Sequence, residues 1–445
     1  MTDLLLAATA LDVTPPPGHR LDGYAARAGL STGTADPLNA TLIWLSTADD
    51  PGVLWLTLDA IAAGHQLCAE LAEAAGAAAG IPPSHVVVSA SHTHSGPSGW
   101  TGEIHPVIPA ERERDLIDSL VGAVRAVRLE RQPVSASWRS IEVIGVGTNR
   151  HRKNGPHDNT AGILALHSRS GSLEAVLLDF ACHPTTYGPE NMQYSADWPG
   201  AARAALAPAV VGFLQGAAGD VSPRFTRQGR GAAEVTRLGS LLAGRVREAL
   251  TQPGLELPQS APAIRRTTLT LPVRSIPPAD ESEKLVTAAE QAVLSTTEQA
   301  NLPATAAETR VTATETRAPA AETRAAAADD PSGRITQTRL DGARGQALMA
   351  AANLPPALDL SVSTVTFGDV CWINLPVELF AVHGACLQSD STHPITRVIG
   401  YTDGYYGYVV DPSAAEAGTY EALITFFDQP TTNHLIKQAA DFMNT

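Results

Sequence analysis

The sequence predicts an α/β protein of layered mixed β-sheets with flanking helices, its functional site built at strand ends. Three observations carry that prediction. Short β-branched runs alternate with Ala/Leu/Glu-rich stretches of helical period along most of the chain. Histidines stand at the exits of two of the most apolar runs, the place where α/β sheets present their loops. At 445 residues and 44% hydrophobic, the chain can bury a sizeable core, and it reads as a single domain over residues 1–445.

Taken in order, Leu5–Val13 reads as a strand stopped by Thr14-Pro15-Pro16-Pro17. Thr41–Ser46 and Val53–Leu58 are two further strands, followed by a helix over Ala60–Ala79 that ends at Gly80. The apolar run Val86-Val87-Val88 reads as a buried strand leading to His92 and His94. A Gly/Pro/Ser-rich loop then runs to Pro109, and Glu111–Arg128 is predicted helical. Strands follow at Ala136–Gly145, Gly162–His167, Ala175–Cys182 and Val210–Leu214, and a helix at Ala232–Leu250.

Between Ala279 and Arg344 the character changes. Glu308-Thr309-Arg310, Glu315-Thr316-Arg317 and Glu322-Thr323-Arg324 recur every seven residues in an Ala/Thr-rich background. Pro303 and Pro319 and the shortage of large apolar residues argue against a coiled-coil seam. The expectation is a helical insertion over 279–344 with a solvated or poorly ordered tract at 303–334. Strand patterns return at Leu358–Phe367 and Val370–Leu375, then a Gly/Tyr-rich segment from Gly400 to Tyr420 and a C-terminal helix.

Bulk properties exclude some partners. A net charge of −15 argues against nucleic acid or an anionic membrane surface as the main partner. No run of apolar residues is long enough to span a membrane. The N-terminus has no basic region ahead of Asp12 and Pro15, so a signal peptide is not expected and a cytoplasmic location is. Cys68, Cys182, Cys371 and Cys386 are widely spaced in apolar contexts and read as core thiols, not as a metal motif.

The chemistry concentrates in three places. On extended backbone, residues i and i+2 share a face, so His92 and His94 are expected to aim both imidazoles into one pocket before Gly96-Pro97 turns the chain. Neutral imidazole is a preferred zinc ligand, and a same-face pair fixes two corners of a tetrahedral site. His183 leaves the Ala175–Ala181 strand in the same manner; it reads either as a third ligand or as a satisfied core histidine. Leu214-Gln215-Gly216-Ala217-Ala218-Gly219-Asp220-Val221-Ser222-Pro223 allows close approach to a ligand, and Ser222 is either a presented hydroxyl or a helix N-cap ahead of Pro223.

Six motifs then fall in a recognisable order: Asp12-Val13-Thr14-Pro15-Pro16, Ser91-His92-Thr93-His94-Ser95-Gly96-Pro97, Asn149-Arg150, Gly219-Asp220-Val221-Ser222-Pro223, Leu375-Pro376-Val377-Glu378 and Gly407-Tyr408. The chain resembles the catalytic domain of the neutral/alkaline non-lysosomal ceramidases over nearly its whole length. It stops before the C-terminal β-sandwich domain of that family. The resemblance implies one zinc ion per chain, held by His92, His183, Glu378 and Tyr408. It implies that His94 and Arg150 contact the scissile amide, that Ser222 is a nucleophile or substrate-positioning residue, and that Tyr420 belongs to the site with Glu421 beside it. Where the family has a Thr-Thr-x-Glu-Glu-Tyr run, this chain has Val410-Asp411-Pro412-Ser413-Ala414-Ala415, so part of the pocket wall differs.

These residues suit amide hydrolysis. Nitrogen and oxygen donors fit zinc as a Lewis acid, His94 and Arg150 can stabilise the developing oxyanion, and His94 or Tyr420 can protonate the leaving amine. The attacking group is either water activated by zinc or Ser222; no histidine close in sequence marks a base for the serine, which favours water. The expected activity is zinc-dependent cleavage of a small-molecule or lipid N-acyl amide, with ceramide the family's type substrate. The alternatives are the same scaffold acting on a different amide or ester, and an idle metal- or ligand-binding protein.

Overall fold

The computed structural model describes residues 3–100, 113–301 and 331–445. Strands β1 (Leu5–Asp12), β2 (Asn39–Ser46), β3 (Val53–Leu58) and β4 (Val86–Ala90) join β5 (Gln132–Glu142), β6 (Thr160–Ser168), β7 (Leu173–Phe180) and β8 (Val210–Gln215) in one sheet of order β8-β7-β6-β5-β1-β2-β3-β4. The two outermost pairs, β7/β8 and β3/β4, are parallel, and the neighbours between them are antiparallel. A parallel pair needs a crossover. Helix α1 (His65–Ala79) supplies one and α2 (Asp197–Ala205) lies within the other.

A second sheet, β9 (Ala263–Pro272), β10 (Ala357–Phe367), β11 (Val370–Asn374) and β12 (Ile395–Ile399), runs in the order β9-β10-β11-β12. The period of two decides how it packs. Val370 and Trp372 of β11 turn toward the first sheet, where Trp372 meets Trp55 and Trp138 with ring centroids 6.1 and 5.4 Å away. Cys371 and Ile373 turn the other way, onto the C-terminal helix α3 (Gln429–Met443) through Leu435, Ala439 and Met443. The far face of the first sheet carries α1 on one half, and α2 with α4 (Ala232–Leu250) on the other. The result is four layers, helix–sheet–sheet–helix, so the central strands of both sheets are covered on both faces, while β9 stays largely exposed. Each fully buried large side chain in these layers contributes about 1.5–3 kcal/mol.

Most predicted elements stand within a few residues of their expected bounds, and Val53–Leu58 and Ala232–Leu250 coincide. The predicted helix at Ala60 begins only at His65, and its C-terminus is Gly80 with φ 71°. Residues 60–64 instead lend carbonyls to the site. Strands β9 and β12 were not expected: Arg265, Arg266, Thr267 and Thr268 hide the alternation of β9, which pairs on one side only. Cys386 is exposed, a correction to its reading as a core thiol; the other three cysteines are buried and all four are free. The insertion forms the helices Ala279–Asn301 and Pro331–Ala351, joined by an Arg344–Glu290 ion pair of 2.9 Å. The three Glu-Thr-Arg triplets, and 303–330 of the expected low-complexity tract, lie outside the described residues. Among the described residues no helix is long and apolar enough to cross a membrane.

Candidate metal centre

His92 follows β4 and His183 follows β7, strands at or near opposite edges of the first sheet. They meet where the ends of β4 and β8 approach, with Ile399 and Thr402 bridging to Gly216 and Ser89. Gln215, at the end of β8 and fully buried, fastens the approach. Its Nε2 donates to Ser91 O (3.1 Å) and Cys182 O (2.8 Å), and its Oε1 accepts from Cys182 N (3.0 Å). Ser91 and Cys182 immediately precede the two histidines, so one side chain ties both histidine-bearing segments together.

Local backbone then aims each ring. The strand ends at Ala90 and His92 has φ 67°, so the histidine pair does not rest on the simple alternation of an extended strand. The left-handed turn at His92 is held by its N–H on Ala60 O (2.9 Å). Each imidazole donates Nδ1–H to a main-chain carbonyl: His92 to Ile61 O (2.7 Å), His94 to Gly23 O (2.8 Å) and His183 to Ala218 O (2.7 Å). A carbonyl can only accept, so Nδ1 carries a proton in each ring, and in the neutral imidazole Nε2 is the acceptor. Gly23 has φ +108°, and a Cβ there would lie 2.5 Å from His94 Cβ, so only glycine seats that ring.

The acceptors converge. One ring nitrogen from each of His92, His94 and His183 lies within 4.8 Å of the others, and the Nε2 atoms of His92 and His94 are 3.3 Å apart. Glu378 Oε2 lies 3.3 Å from His92 Nε2 and 3.2 Å from His183 Nε2. Among the described residues, buried His183 Nε2 has no hydrogen-bond partner. With the imidazoles neutral, nitrogen lone pairs and a carboxylate face one point, an arrangement that a bound cation would join. Burial, reinforced by His92 and His183, pushes the His94 pKa well below the usual histidine value; burial, then Arg150 and His92, bring that of His183 to about 4. Burial opposes the Glu378 charge, but His92 and His183 outweigh it and hold the carboxyl well below its usual range. Neutral imidazoles beside an ionised carboxylate are the state in which such donors take a metal. The donor set fits zinc: nitrogen and oxygen only, with ring orientation fixed from behind.

Glu378 arrives from the second sheet. Its N–H donates to Gly407 O (2.8 Å), and Glu378 and Leu379 pair in parallel with Tyr408 and Val409. Across the pair lies Gly219, whose N–H reaches Leu379 O at 2.9 Å. A Cβ on Gly219 would stand 2.7 Å from Glu378 O, which is why that turn needs glycine. Asp220 is the hub beside it: Oδ1 accepts from Ala381 N (2.8 Å) and Oδ2 from Asn149 Nδ2 (2.5 Å). Asn149 and Thr148 pair with Val221 and Ser222. Four of the motifs are therefore one hydrogen-bonded unit.

Arg150 leaves that unit toward Tyr408 Oη (3.4 Å) and Glu421 Oε1 (2.6 Å). Burial works against its charge, but Glu421, Tyr408 and Glu378 more than compensate. Tyr420 lies beside Tyr408 with ring centroids 6.1 Å apart, and burial with the nearby Glu378 and Glu421 raises its pKa above the usual phenol value. The expected residues thus form two adjoining groups: His92, His94, His183 and Glu378, and then Arg150, Tyr408, Tyr420 and Glu421. Ser222 is the cap of a short turn, its Oγ accepting from Arg224 N at 3.3 Å, and among the described residues it bonds to no histidine. Sequence reasoning named Gln215 only as part of its glycine-rich segment, with no role, and missed the pair Tyr401 and Tyr405, whose hydroxyls both donate to Glu378. The density of tyrosines between Gly400 and Tyr408 was the available signal.

Fold and site define an α/β protein with a buried histidine–carboxylate cluster able to hold a metal ion. Neither a protein-family model nor a curated protein matches the sequence. Among solved structures the fold is that of neutral ceramidase from Pseudomonas aeruginosa, with a TM-score of 0.72 and 16% identity over 100% of this chain and 74% of that one. A ceramidase complexed with C2 is similar at the same TM-score and identity, over 75% of its chain. The resemblance read from six short motifs is thus matched by the three-dimensional fold.

Proposed function

We propose that this protein is a zinc-dependent amidohydrolase that cleaves an N-acyl amide, with a ceramide-like lipid as the substrate class. The observation that carries the proposal is the convergence of His92, His94, His183 and Glu378 with every histidine Nδ1 tied to a carbonyl. His92, His183, Glu378 and Tyr408 are the residues proposed to hold one zinc ion. Bound there, zinc would supply Lewis acidity for polarising a carbonyl and for lowering the pKa of water toward neutrality.

The remaining roles belong to the chain. Arg150, kept charged by Glu421, offers a guanidinium N–H to the oxygen on which negative charge develops. His94 is the partly exposed member of the cluster; with Nδ1 fixed on Gly23, its Nε2 is the atom that accepts a proton from the attacking group and returns it to the leaving amine. Tyr420 keeps its proton, so it serves as a donor and not as a base. Ser222 is assigned a capping and substrate-positioning role, since its hydroxyl supports Arg224 N and lacks a basic partner among the described residues.

A second reading keeps the metal and changes the substrate to another amide or ester. It is favoured by the segment after Tyr408, where Asp411 caps the short helix Pro412–Ala417 through Ala414 N (2.7 Å) in place of the family's run. One experiment decides. Purified protein is analysed for metal and offered a panel of ceramides, simpler N-acyl amides and matching esters, with His183→Ala in parallel. One zinc per chain, lost in His183→Ala, with ceramide cleaved fastest, is expected. Zinc without any hydrolysis would leave a binding protein, and faster turnover of another panel member would reassign the substrate.

A further inference from the structure

The Glu378 carboxylate is 1% exposed, so water does not decide which of its oxygens faces the histidines. Two hydroxyls do. Tyr405 donates to Oε1 in a short hydrogen bond, and Tyr401 donates to Oε2 at 3.3 Å. With Oε1 occupied, Oε2 is the oxygen left 3.3 and 3.2 Å from the Nε2 atoms of His92 and His183. The Tyr401 ring also lies against His92, with centroids 4.2 Å apart and planes tilted by 34°. It therefore touches two members of the cluster at once, one through its face and one through its hydroxyl.

The backbone supports the same conclusion. Tyr401 has φ 55°, a conformation an aromatic residue adopts only when its surroundings impose it. The surroundings are visible: its N–H donates to Val377 O (3.2 Å) and its carbonyl accepts from Ala90 N (3.0 Å). Val377 precedes Glu378 and Ala90 ends the strand that leads to His92. Tyr401 is thus pinned to both segments whose side chains it touches. Tyr405 belongs to the same buried cluster, with Ile61, Ala62 and Ala90.

We infer that Tyr401 and Tyr405 are positioning residues for the metal centre: Tyr405 fixes the Glu378 carboxylate by engaging Oε1, and Tyr401 locks Glu378 Oε2 and the His92 ring into mutual register. This rests on the zinc reading above. Neither tyrosine needs to touch the ion or the substrate. Hydroxyls that orient a ligand from behind typically govern metal affinity by about 10–100-fold.

Removing one hydroxyl at a time tests the inference. Tyr405→Phe and Tyr401→Phe keep the rings and their packing. Zinc-stripped wild type and variants are titrated with zinc against a chromophoric chelator, and separately with cobalt to record the ligand-field spectrum. The expected result is a fall in zinc affinity of about 10–100-fold for Tyr405→Phe, a smaller fall for Tyr401→Phe, and a shifted cobalt spectrum in both. Thermal unfolding of the stripped proteins should stay close to wild type, separating positioning from a structural defect. If Tyr405→Phe fails to fold, Tyr401→Phe decides alone by its affinity and spectrum. Wild-type affinity and an unchanged spectrum in the folded variants would overturn the assignment while leaving the zinc reading intact. A wild type that takes up no zinc would instead overturn the function proposed above.

Discussion

Gln215 and Cys182 exchange two hydrogen bonds, the Cys182 N–H to Oε1 at 3.0 Å and Nε2 to the Cys182 carbonyl at 2.8 Å. The side chain mimics a strand neighbour where β7 has run out of one, and its second Nε2 proton goes to Ser91 O just past β4. Gln215→Ala leaves these buried main-chain groups short of partners, and each unsatisfied group costs about 1–3 kcal/mol. Loss of stability in urea together with weaker zinc uptake is expected. A variant that loses stability but binds zinc as wild type does would show that the histidines are set by something else.

Arg150 and Glu421 form an ion pair of 2.6 Å between side chains that are 17% and 4% exposed. Removing one partner strands the other's charge away from water, which costs about 3–5 kcal/mol. Glu421→Gln keeps the shape and deletes the charge, so it should lower both stability and turnover. Arg150→Lys should not support wild-type activity, because the shorter, compact ammonium does not reproduce the guanidinium whose Nη2 meets both Glu421 and Tyr408. Wild-type denaturation midpoints in Glu421→Gln would remove the pair from the account.

Acid should unfold the zinc-free protein earlier than its surface carboxylates alone would dictate. Burial, then Arg150 and His92, lower the His183 pKa from 6.5 to about 4. Between those values the unfolded chain binds the proton and the folded chain does not. Stability is therefore fully present above the unfolded pKa and is lost as the pH falls through the folded one. The loss from this histidine is on the order of 3 kcal/mol, and His94 acts in the same direction. Urea midpoints of stripped protein measured at successive pH values across that window provide the check; a flat profile contradicts it.

Ser222→Ala distinguishes a cap from a nucleophile. Loss of the bond from Arg224 N should cost about 1 kcal/mol of stability, and loss of a substrate hydrogen bond on the order of 10²–10³ in turnover. Measurable hydrolysis should remain, with no acyl adduct on the Ser222 peptide of wild type by mass spectrometry. Detection of that adduct would make the serine the attacking group.

The layers were legible because burial on both faces writes nearly continuous apolar runs, as in Val86–Val88 and, interrupted only by Asp179, Ala175–Ala181. The histidines at the exits of those runs were legible for the same reason. What could not be read is how the strand ends come together, since the contacts that join them, Gln215 and the bridges to Ile399 and Thr402, lie between segments distant in sequence. The φ of 67° at His92 also escaped, because a left-handed histidine has no local signature and is imposed by the carbonyl of Ala60. Tyr401 and Tyr405 looked like part of a Gly/Tyr-rich loop; their bearing on Glu378 exists only once the second sheet is docked.

Strands β9 and β10 pair along their whole length, from Ala263 opposite Thr366 to Pro272 opposite Ala357. The two long helices between them therefore leave and re-enter the sheet at one point, with their roots held side by side. A chain excursion rooted this way can grow, shrink or be exchanged at little thermodynamic expense, about 0.6 kcal/mol for each doubling of a flexible loop. It nevertheless reaches the site, because Gly342 on its second helix abuts Tyr420, closely enough that a Cβ there would lie 3.1 Å from the Tyr420 Cα. Descendants of this fold can therefore remodel the rim around Tyr420 by swapping a whole module while the histidine cluster, built from other strands, is inherited unchanged.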